Sequence, residues 1–529
     1  MIPDTPRDEL LLNTCELMSL GGDDRITLDE RSGLNSYGCA PEPMRTLGYS
    51  SSTASFIGAA AYGYVNSLHD QIRGEVAVED RNAADVYEAY LTRAAARIWK
   101  VYGLAEGTDL AFGPSGTDLE YIALACALEA SAKVCNIVVE VDEVGSGCQH
   151  SQAGRYFAPR TALGREVEKG DPLPGFEPDN IRVETVPMRQ VDGSVSDPAL
   201  HAEQIRHAIA TSIAHGERPL LHVVHRSKTG IVLPEWDVLN ALAGEYGCEL
   251  DIVVDACQGR ISPDCLRRYL EIGATVLVTG SKFIGGPPFS AVAIFPKVIA
   301  ERMANATSLP AGLAHFFTKA EMPGHWKARK TLDHQANFGM LLRLEAGLFE
   351  LERLLAHSSD QLERVISAFA AELRALPDDL PFELLESPAS GDLEFEPLHP
   401  LDRQSLFVIA LKPSFLGDRR IDFDDARAIY RMLYRDLSDR FEDPAVKLVA
   451  RQICHVGQPV RCLRGDQGWH PTYRLSLSAG QISDLVGLDD ELLRARFRND
   501  IARIGRKIEL AIDLLCADRE SVKGEAQVV

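Results

Sequence analysis

The chain has 529 residues and a mass of 58.0 kDa, which at ~100–200 residues per domain predicts two or more domains. Hydrophobic residues make up 45% and charged residues 25%, ordinary globular values that exclude wholesale disorder and a fibrous repeat. Asp and Glu outnumber Lys and Arg by 77 to 55, and the resulting charge of −22 argues against nonspecific binding to nucleic acid or an anionic membrane.

The eleven cysteines form no CxxC pair, so a zinc ribbon is unsupported, and their odd number fits reduced thiols better than a disulfide framework. The first twenty residues place Asp and Glu among the apolar ones, unlike a signal peptide, and no apolar run approaches the ~20 residues that span a bilayer. A cytoplasmic location is expected. Near the start, SGLNSYGCAPEP and GYSSSTAS have the Gly, Ser and Tyr content of a substrate-covering loop, with Tyr37, Tyr49 and Ser51 as candidate contacts. Residues 83–103 follow, where Val86, Tyr90, Ala94 and Ile98 recur at helical spacing and Gly103 supplies a stop.

From residue 108 to 295 short β-rich runs alternate with helical stretches, the pattern of an α/β domain with a largely parallel sheet. Strands are expected at 108–113, 134–141, 181–187, 219–225, 249–255, 274–280 and 290–295, most of them continuously apolar as if covered on both faces. Helices are expected at 118–132, 201–215 and 235–246. Residues 151–180, rich in Gly, Pro and charge, exceed a routine connection and read as a surface insertion or a functional loop. A long helix is expected around 337–357. Beyond it, strand-like SLFVIALK and YRLSLSA mix with helices at 424–440 and 490–516. The expected division is an N-terminal segment over 1–60 that joins the small domain or covers the active site, a large domain over 61–330, and a linker helix with an α+β domain over 331–529.

Three features carry chemistry. In GPSGT, Gly113 to Thr117 close a strand and open a helix, whose free N–H groups favour an anion; alone, the segment reads first as an ordinary N-cap. It lacks the Gly-Lys-Ser/Thr of a Walker loop and the final Gly of a nucleophile elbow. In ELDIVVDACQGR, Asp255 ends a strand with Gln258 three residues on, at the edge where open α/β sheets bind ligands. In TGSKFIGGPP, Lys282 leaves another strand end between Thr279-Gly280-Ser281 and a Gly-Gly-Pro-Pro turn. Phosphate loop, strand-end Asp and strand-end Lys, in this order, describe a pyridoxal phosphate site.

On these residues the chain resembles the fold type I pyridoxal phosphate-dependent enzymes, in their class V aminotransferase and cysteine desulfurase branch, over residues 80–300. The resemblance implies an α/β fold with a mostly parallel seven-stranded sheet plus a smaller α+β domain, pyridoxal 5'-phosphate as cofactor, and a homodimer with shared active sites. It makes Lys282 the Schiff-base lysine and Asp255 the partner of the pyridinium nitrogen. Ser115, Gly116, Thr117, Thr279 and Ser281 fall near the phosphate, and Ser227 and Gln258 near the phenolic oxygen. Arg474, in YRLSLSAGQ, becomes the candidate for the substrate α-carboxylate.

Two departures shape the expected activity. Where the branch places a histidine on the cofactor ring, this chain continues DEVGSGCQH, so Glu143 or Val144 falls nearest and His150 comes late. None of the cysteines after residue 300 (Cys454, Cys462, Cys516) lies in a Ser-Gly-rich loop, which disfavours persulfide chemistry. With the unusual segment at 142–148 and the insertion at 151–180, this favours a lyase or transferase that activates an amino acid through an external aldimine and quinonoid for β/γ-elimination, replacement or carbon–carbon bond formation. A class V-type aminotransferase is the alternative, and a non-catalytic binding protein of this fold the second. No metal is expected, because His201, His207 and His215 lack HExxH spacing, and His222 and His225 fall on opposite faces of a strand.

Overall fold

The structure, a computed structural model, describes residues 5–526 except 146, 386–398, 418, 420, 466 and 467. Its first strand, β1 (Leu47–Tyr49), belongs to the N-terminal segment, and the seven strands that follow build one sheet: β2 (Asp109–Gly113), β3 (Val134–Val139), β4 (Ile181–Val186), β5 (Arg218–Val224), β6 (Asp251–Asp255), β7 (Ala274–Thr279) and β8 (Ala291–Phe295). Their order is β2-β8-β7-β6-β5-β3-β4, with β8 antiparallel to both neighbours and the other pairs parallel.

The continuous apolar runs are explained by cover on both faces. Along β6 and β7, Val253 and Leu277 pack with the helix Gly116–Ala130, while Ile252, Val254, Val276 and Val278 pack with the helices Ala83–Tyr102 and Pro263–Glu271. β4 lies at the sheet edge and is only partly covered, as its Arg and Glu require. Gly103 ends its helix in the left-handed conformation (φ +59°). Because β3, β5, β6 and β7 run in parallel and β2 ends opposite the start of β8, Gly113, Val224, Asp255 and Thr279 all emerge at one edge of the sheet.

Beyond the sheet, the helix Phe338–Leu355 is buried along most of its length against the helices Ala59–Arg73, Ala83–Tyr102 and Ala479–Leu485. The C-terminal part forms a second sheet from β9 (Phe382–Leu384) and β10 (Leu406–Leu411), a short strand β11 (Cys454–Val456), a small ribbon of β12 (Arg464–Gly465) and β13 (Gly468–Trp469), and β14 (Thr472–Ser476). The sheet order is β14-β10-β9, all antiparallel. Its cover includes the helix Asp490–Ala526, which buries Leu493, Phe497, Ile501, Ile504 and Ile508 at helical spacing.

The N-terminal segment does not stand apart. β1 pairs in parallel with β11, and Ser50 bridges to Ser476 of β14, so residues from both ends of the chain share one surface. The buried Arg343 fastens the segment further by donating to the carbonyls of Met18, Leu20 and Gly21, and to Phe289 O. β1 and the helices Ala59–Arg73 and Ser359–Arg374 were not anticipated from the sequence. No helix among the described residues is long and apolar enough to cross a membrane.

Candidate active site

β2 turns at Pro114 into the helix Gly116–Ala130, with Ser115 as N-cap accepting from the Asp118 amide at 3.3 Å. The amides of Gly116 and Thr117 have no carbonyl one turn back to donate to, so they point a positive helix end outward. A Cβ at position 116 would lie within 3.0 Å of Cys257 Sγ, so only glycine lets this helix end approach the exit of β6 so closely. Beneath it Asp118 is buried and receives the Ser115 hydroxyl at 2.5 Å; burial pushes its carboxyl up to about 7.

At the end of β6, Asp255 Oδ1 accepts the Cys257 amide at 2.9 Å, which fixes the carboxylate over the sheet edge. Gln258 is held by two bonds, donating to Ser52 O at 3.1 Å and accepting from Arg260 at 2.9 Å. The neighbouring β7 delivers Lys282 through a turn made tight by glycines. A Cβ on Gly286 would meet the backbone of Gly347 at 2.9 Å and of Gly280 at 3.0 Å, so this turn lies directly on the helix Phe338–Leu355. Ser55 of the N-terminal segment donates to the Lys282 carbonyl at 2.8 Å. The Thr279 hydroxyl donates to Cys257 O at 2.6 Å and so ties the two strand exits together.

All of these groups line one cavity of about 460 Å³. Ser115, Gly116 and Thr117 form one end, and Asp255, Gln258, Thr279, Ser281 and Lys282 lie along the strand exits. Ser227 and Arg474 enter from the loop after β5 and from β14. The ten residues singled out in the sequence are thus brought together, from segments up to 359 positions apart.

Several surroundings were not legible in the sequence. Glu143, a candidate for the ring-facing position, is a buried wall group: it takes Arg189 at 2.5 Å, the Ser227 hydroxyl at 2.6 Å and the Thr229 hydroxyl at 2.9 Å. Burial would raise its carboxyl, but Arg189 and the Ser227 hydroxyl hold it below the ordinary range. Ser227 therefore spends its proton on Glu143. Val144 and Gly145 follow on the cavity wall, whereas His150 does not reach it. The segment 151–180 adds no wall residue; it packs Phe157, Leu173 and Phe176 around the helix Gly116–Ala130 as a buttress. Of the N-terminal candidates, Tyr37 lines the cavity with Arg25, Ser52 and Thr53. Tyr49 and Ser51 do not: the Tyr49 hydroxyl donates to Asp500 at 2.9 Å and Ser51 to Leu477 O at 2.6 Å.

Arg474 is buried, and its guanidinium donates only to neutral acceptors: Gln458 O, Ser52 O, Lys228 O and the Thr53 hydroxyl, at 2.8 to 3.2 Å. Burial lowers it to about 10, yet it faces the cavity with no carboxylate in bonding reach among the described residues. Away from the cavity, His225, Cys265 and Asp402 bring ligand atoms within 4.8 Å of one another. Both His225 nitrogens are engaged, Nδ1 with the Tyr269 hydroxyl at 3.0 Å and Nε2 with Arg260 O at 3.1 Å, and burial holds the ring down to about 3. A neutral ring that donates through Nε2 and accepts at Nδ1 satisfies this geometry without an ion.

The donor set fits pyridoxal phosphate: an amine for its aldehyde, a carboxylate fixed at a strand end, and a helix end closed over the floor so tightly that no side chain fits at 116. No family model matches the chain, and no curated protein does. Among solved structures, a cysteine desulfurase from Escherichia coli superposes with a TM-score of 0.52 at 13% identity, over 89% of this chain and 95% of that one. TDC from Oryza sativa, solved with PLP, gives 0.48 at 12% over 90% and 85%, and a NifS-like protein 0.49 at 12% over 87% and 100%. The desulfurase superposition spans nearly the whole of both chains, so the chain, with its seven-stranded mostly parallel sheet, has the fold type I architecture of that desulfurase.

Proposed function

We propose that this protein is a pyridoxal 5'-phosphate-dependent enzyme that activates an amino acid for β- or γ-elimination, replacement or carbon–carbon bond formation. The observation that carries it is the convergence of Lys282, Asp255, the helix end at Gly116 and the buried Arg474 on one cavity. The cofactor, when bound, supplies a conjugated cationic ring able to take up the electron pair of a carbanion at the substrate Cα.

Lys282 Nζ would be the point of covalent attachment and, as a free amine, a base for the substrate Cα proton. Asp255 would hold a proton on the ring nitrogen, the charge that favours electron uptake by the ring. The Gly116 and Thr117 amides would hold the phosphate, with the Ser115 hydroxyl spent on Asp118 beneath them. Arg474, fixed by four hydrogen bonds, orients the α-carboxylate with its remaining N–H facing the cavity. Glu143, locked by Arg189 and Thr229, sets the position of Ser227 at the far wall.

Persulfide transfer finds no support in the cavity thiols. Cys148 and Cys257 are buried and their thiols are pushed up, first by burial, so neither offers the ready thiolate that such transfer needs. In line with its fold, we assign the chain a homodimer, and the Gly-Gly-Pro-Pro turn after Lys282 is the segment proposed to approach the neighbouring subunit. Mixing the purified protein with amino acids, while following the visible spectrum and the released products, tests the reaction class. Release of a side-chain leaving group or formation of a new carbon–carbon bond is expected. Accumulation of pyridoxamine phosphate with an oxo acid would replace the proposal by transamination.

A further inference from the structure

The charge of the cavity opposes the charge of the chain. Against a net charge of −22, the cavity wall carries six basic side chains and three acidic ones. Arg25 pairs with Asp23 at 2.6 Å and Arg427 with Asp424 at 3.2 Å, which leaves Lys228, Lys282, Arg461 and Arg474. On the acidic side Glu143 pairs with Arg189, which leaves Asp142 and Asp255. Lys282 and Asp255 belong to the cofactor in the function proposed above, and Arg474 to the substrate α-carboxylate. Lys228 and Arg461 have no task there.

Neither has an ion-pair partner among the described residues. Lys228 Nζ donates to the Val144 carbonyl at 3.1 Å, and burial lowers its ammonium. Arg461 rests on the Phe423 ring with its guanidinium carbon 5.3 Å from the centroid, and Arg427 lies 5.0 Å from the same ring. The π face accommodates a guanidinium, but two like charges on one ring repel each other, and for Lys228 the attraction of Glu143 and Asp142, with the Val144 carbonyl, offsets only part of the cost of withdrawing an ammonium from water. An oxyanion entering this part of the cavity relieves both.

Resting on the cofactor function above, we propose that the substrate is an amino acid whose side chain ends in an oxyanion, a carboxylate, phosphate or sulfonate, held by Arg461 and Lys228. Substrate selection then resides in the loops after β5 and β11 and in the helix Phe423–Leu433, not in the insertion at 151–180. An acidic protein with a positive pocket also draws such a substrate in by field rather than by net charge.

The test uses holoenzyme whose Lys282 adduct has been verified by borohydride reduction and mass spectrometry. Paired ligands (aspartate and asparagine, glutamate and glutamine, O-phosphoserine and serine, cysteate and serine) are titrated while the cofactor absorbance is followed. At least one anionic member is expected to bind ~10-fold or more tightly than its neutral partner, an advantage that raised salt narrows. Arg461 is exposed, so Arg461→Gln should keep the adduct, lose that advantage and leave the neutral member unchanged. The favoured pair identifies the oxyanion. Equal binding within every pair, or an advantage that survives in both Arg461→Gln and Lys228→Gln, overturns the proposal and leaves the cofactor function standing. Absence of the Lys282 adduct refutes the cofactor function and this inference with it.

Discussion

Replacing Gly116 by alanine isolates the contact on which the proposed phosphate end of the site depends. The added Cβ would lie within 3.0 Å of Cys257 Sγ, whereas ordinary van der Waals separation is ~3.5–4.0 Å. Either the Cys257 thiol turns away into the cavity or helix end and β6 exit part by more than ~0.5 Å, the tolerance within which a binding constellation stays productive. Forcing the methyl in costs ~1–3 kcal/mol, and a misplacement of ~1 Å can cost ~100-fold in function. Gly116→Ala is thus expected to weaken cofactor retention about 10-fold or more, read as the cofactor absorbance remaining after dialysis at a series of concentrations. The next atoms are Cys257 Cβ and Thr279 Cγ2, both at 3.5 Å, so removing the thiol clears the clash. The double variant Gly116→Ala/Cys257→Ala should regain affinity, and alanine at the helix start adds up to ~1 kcal/mol of helix propensity. Unaltered cofactor affinity in the single variant, or no recovery in the double one, would refute the close-approach argument.

Arg189→Gln leaves the Glu143 carboxylate buried without its cation, and loss of one member of such a pair costs ~3–5 kcal/mol; a shift in urea midpoint worth under ~1 kcal/mol would contradict the pairing. Because the folded Glu143 titrates below its ordinary value, its contribution to stability is present above the unfolded pKa of ~4.3 and fades as pH falls through the folded one; Glu143→Gln should remove that acid sensitivity. Asp118 has the opposite sign: its folded value is raised to about 7, so the folded state keeps a proton that the unfolded chain has lost above ~3.9, and stability falls as pH rises through this window. Melting temperature against pH should flatten in Asp118→Asn, and an unchanged profile would locate the titration elsewhere. Gly347→Ala would press a methyl to 3.1 Å from Gly280 Cα and O, lowering stability by ~1–3 kcal/mol and loosening the Lys282 turn; a melting temperature equal to the parent's would show that this contact yields freely.

The large sheet was legible because strands covered on both faces must be apolar throughout, and each of the seven runs appears within two residues of its expected bounds. The residues at the strand exits were legible for a related reason: parallel strands deliver their C-terminal ends to one edge, so Asp255 and Lys282 had to emerge together. What distant segments contribute left no local signal. Glu143 finds Arg189 46 positions away, and Arg474 is held by Ser52 and Thr53 from the opposite end of the chain; such pairings have no period or motif. Gly, Ser and Tyr content did point to the N-terminal loop, but composition does not say which way a side chain faces. Tyr37 reached the cavity, while Tyr49 was drawn under the C-terminal helix by Asp500. Length and composition left the insertion at 151–180 as either a surface insertion or a functional loop, and its aromatic residues turn inward to the core.

The central claim is that Lys282, and no other lysine, carries the cofactor. Borohydride reduction of the protein loaded with pyridoxal phosphate, followed by protease digestion and mass spectrometry, tests it directly. A phosphopyridoxyl group on the peptide containing Lys282, absent in Lys282→Ala together with the visible absorbance, is the predicted result. Label on Lys228, scattered over surface lysines, or undiminished in Lys282→Ala would contradict the account.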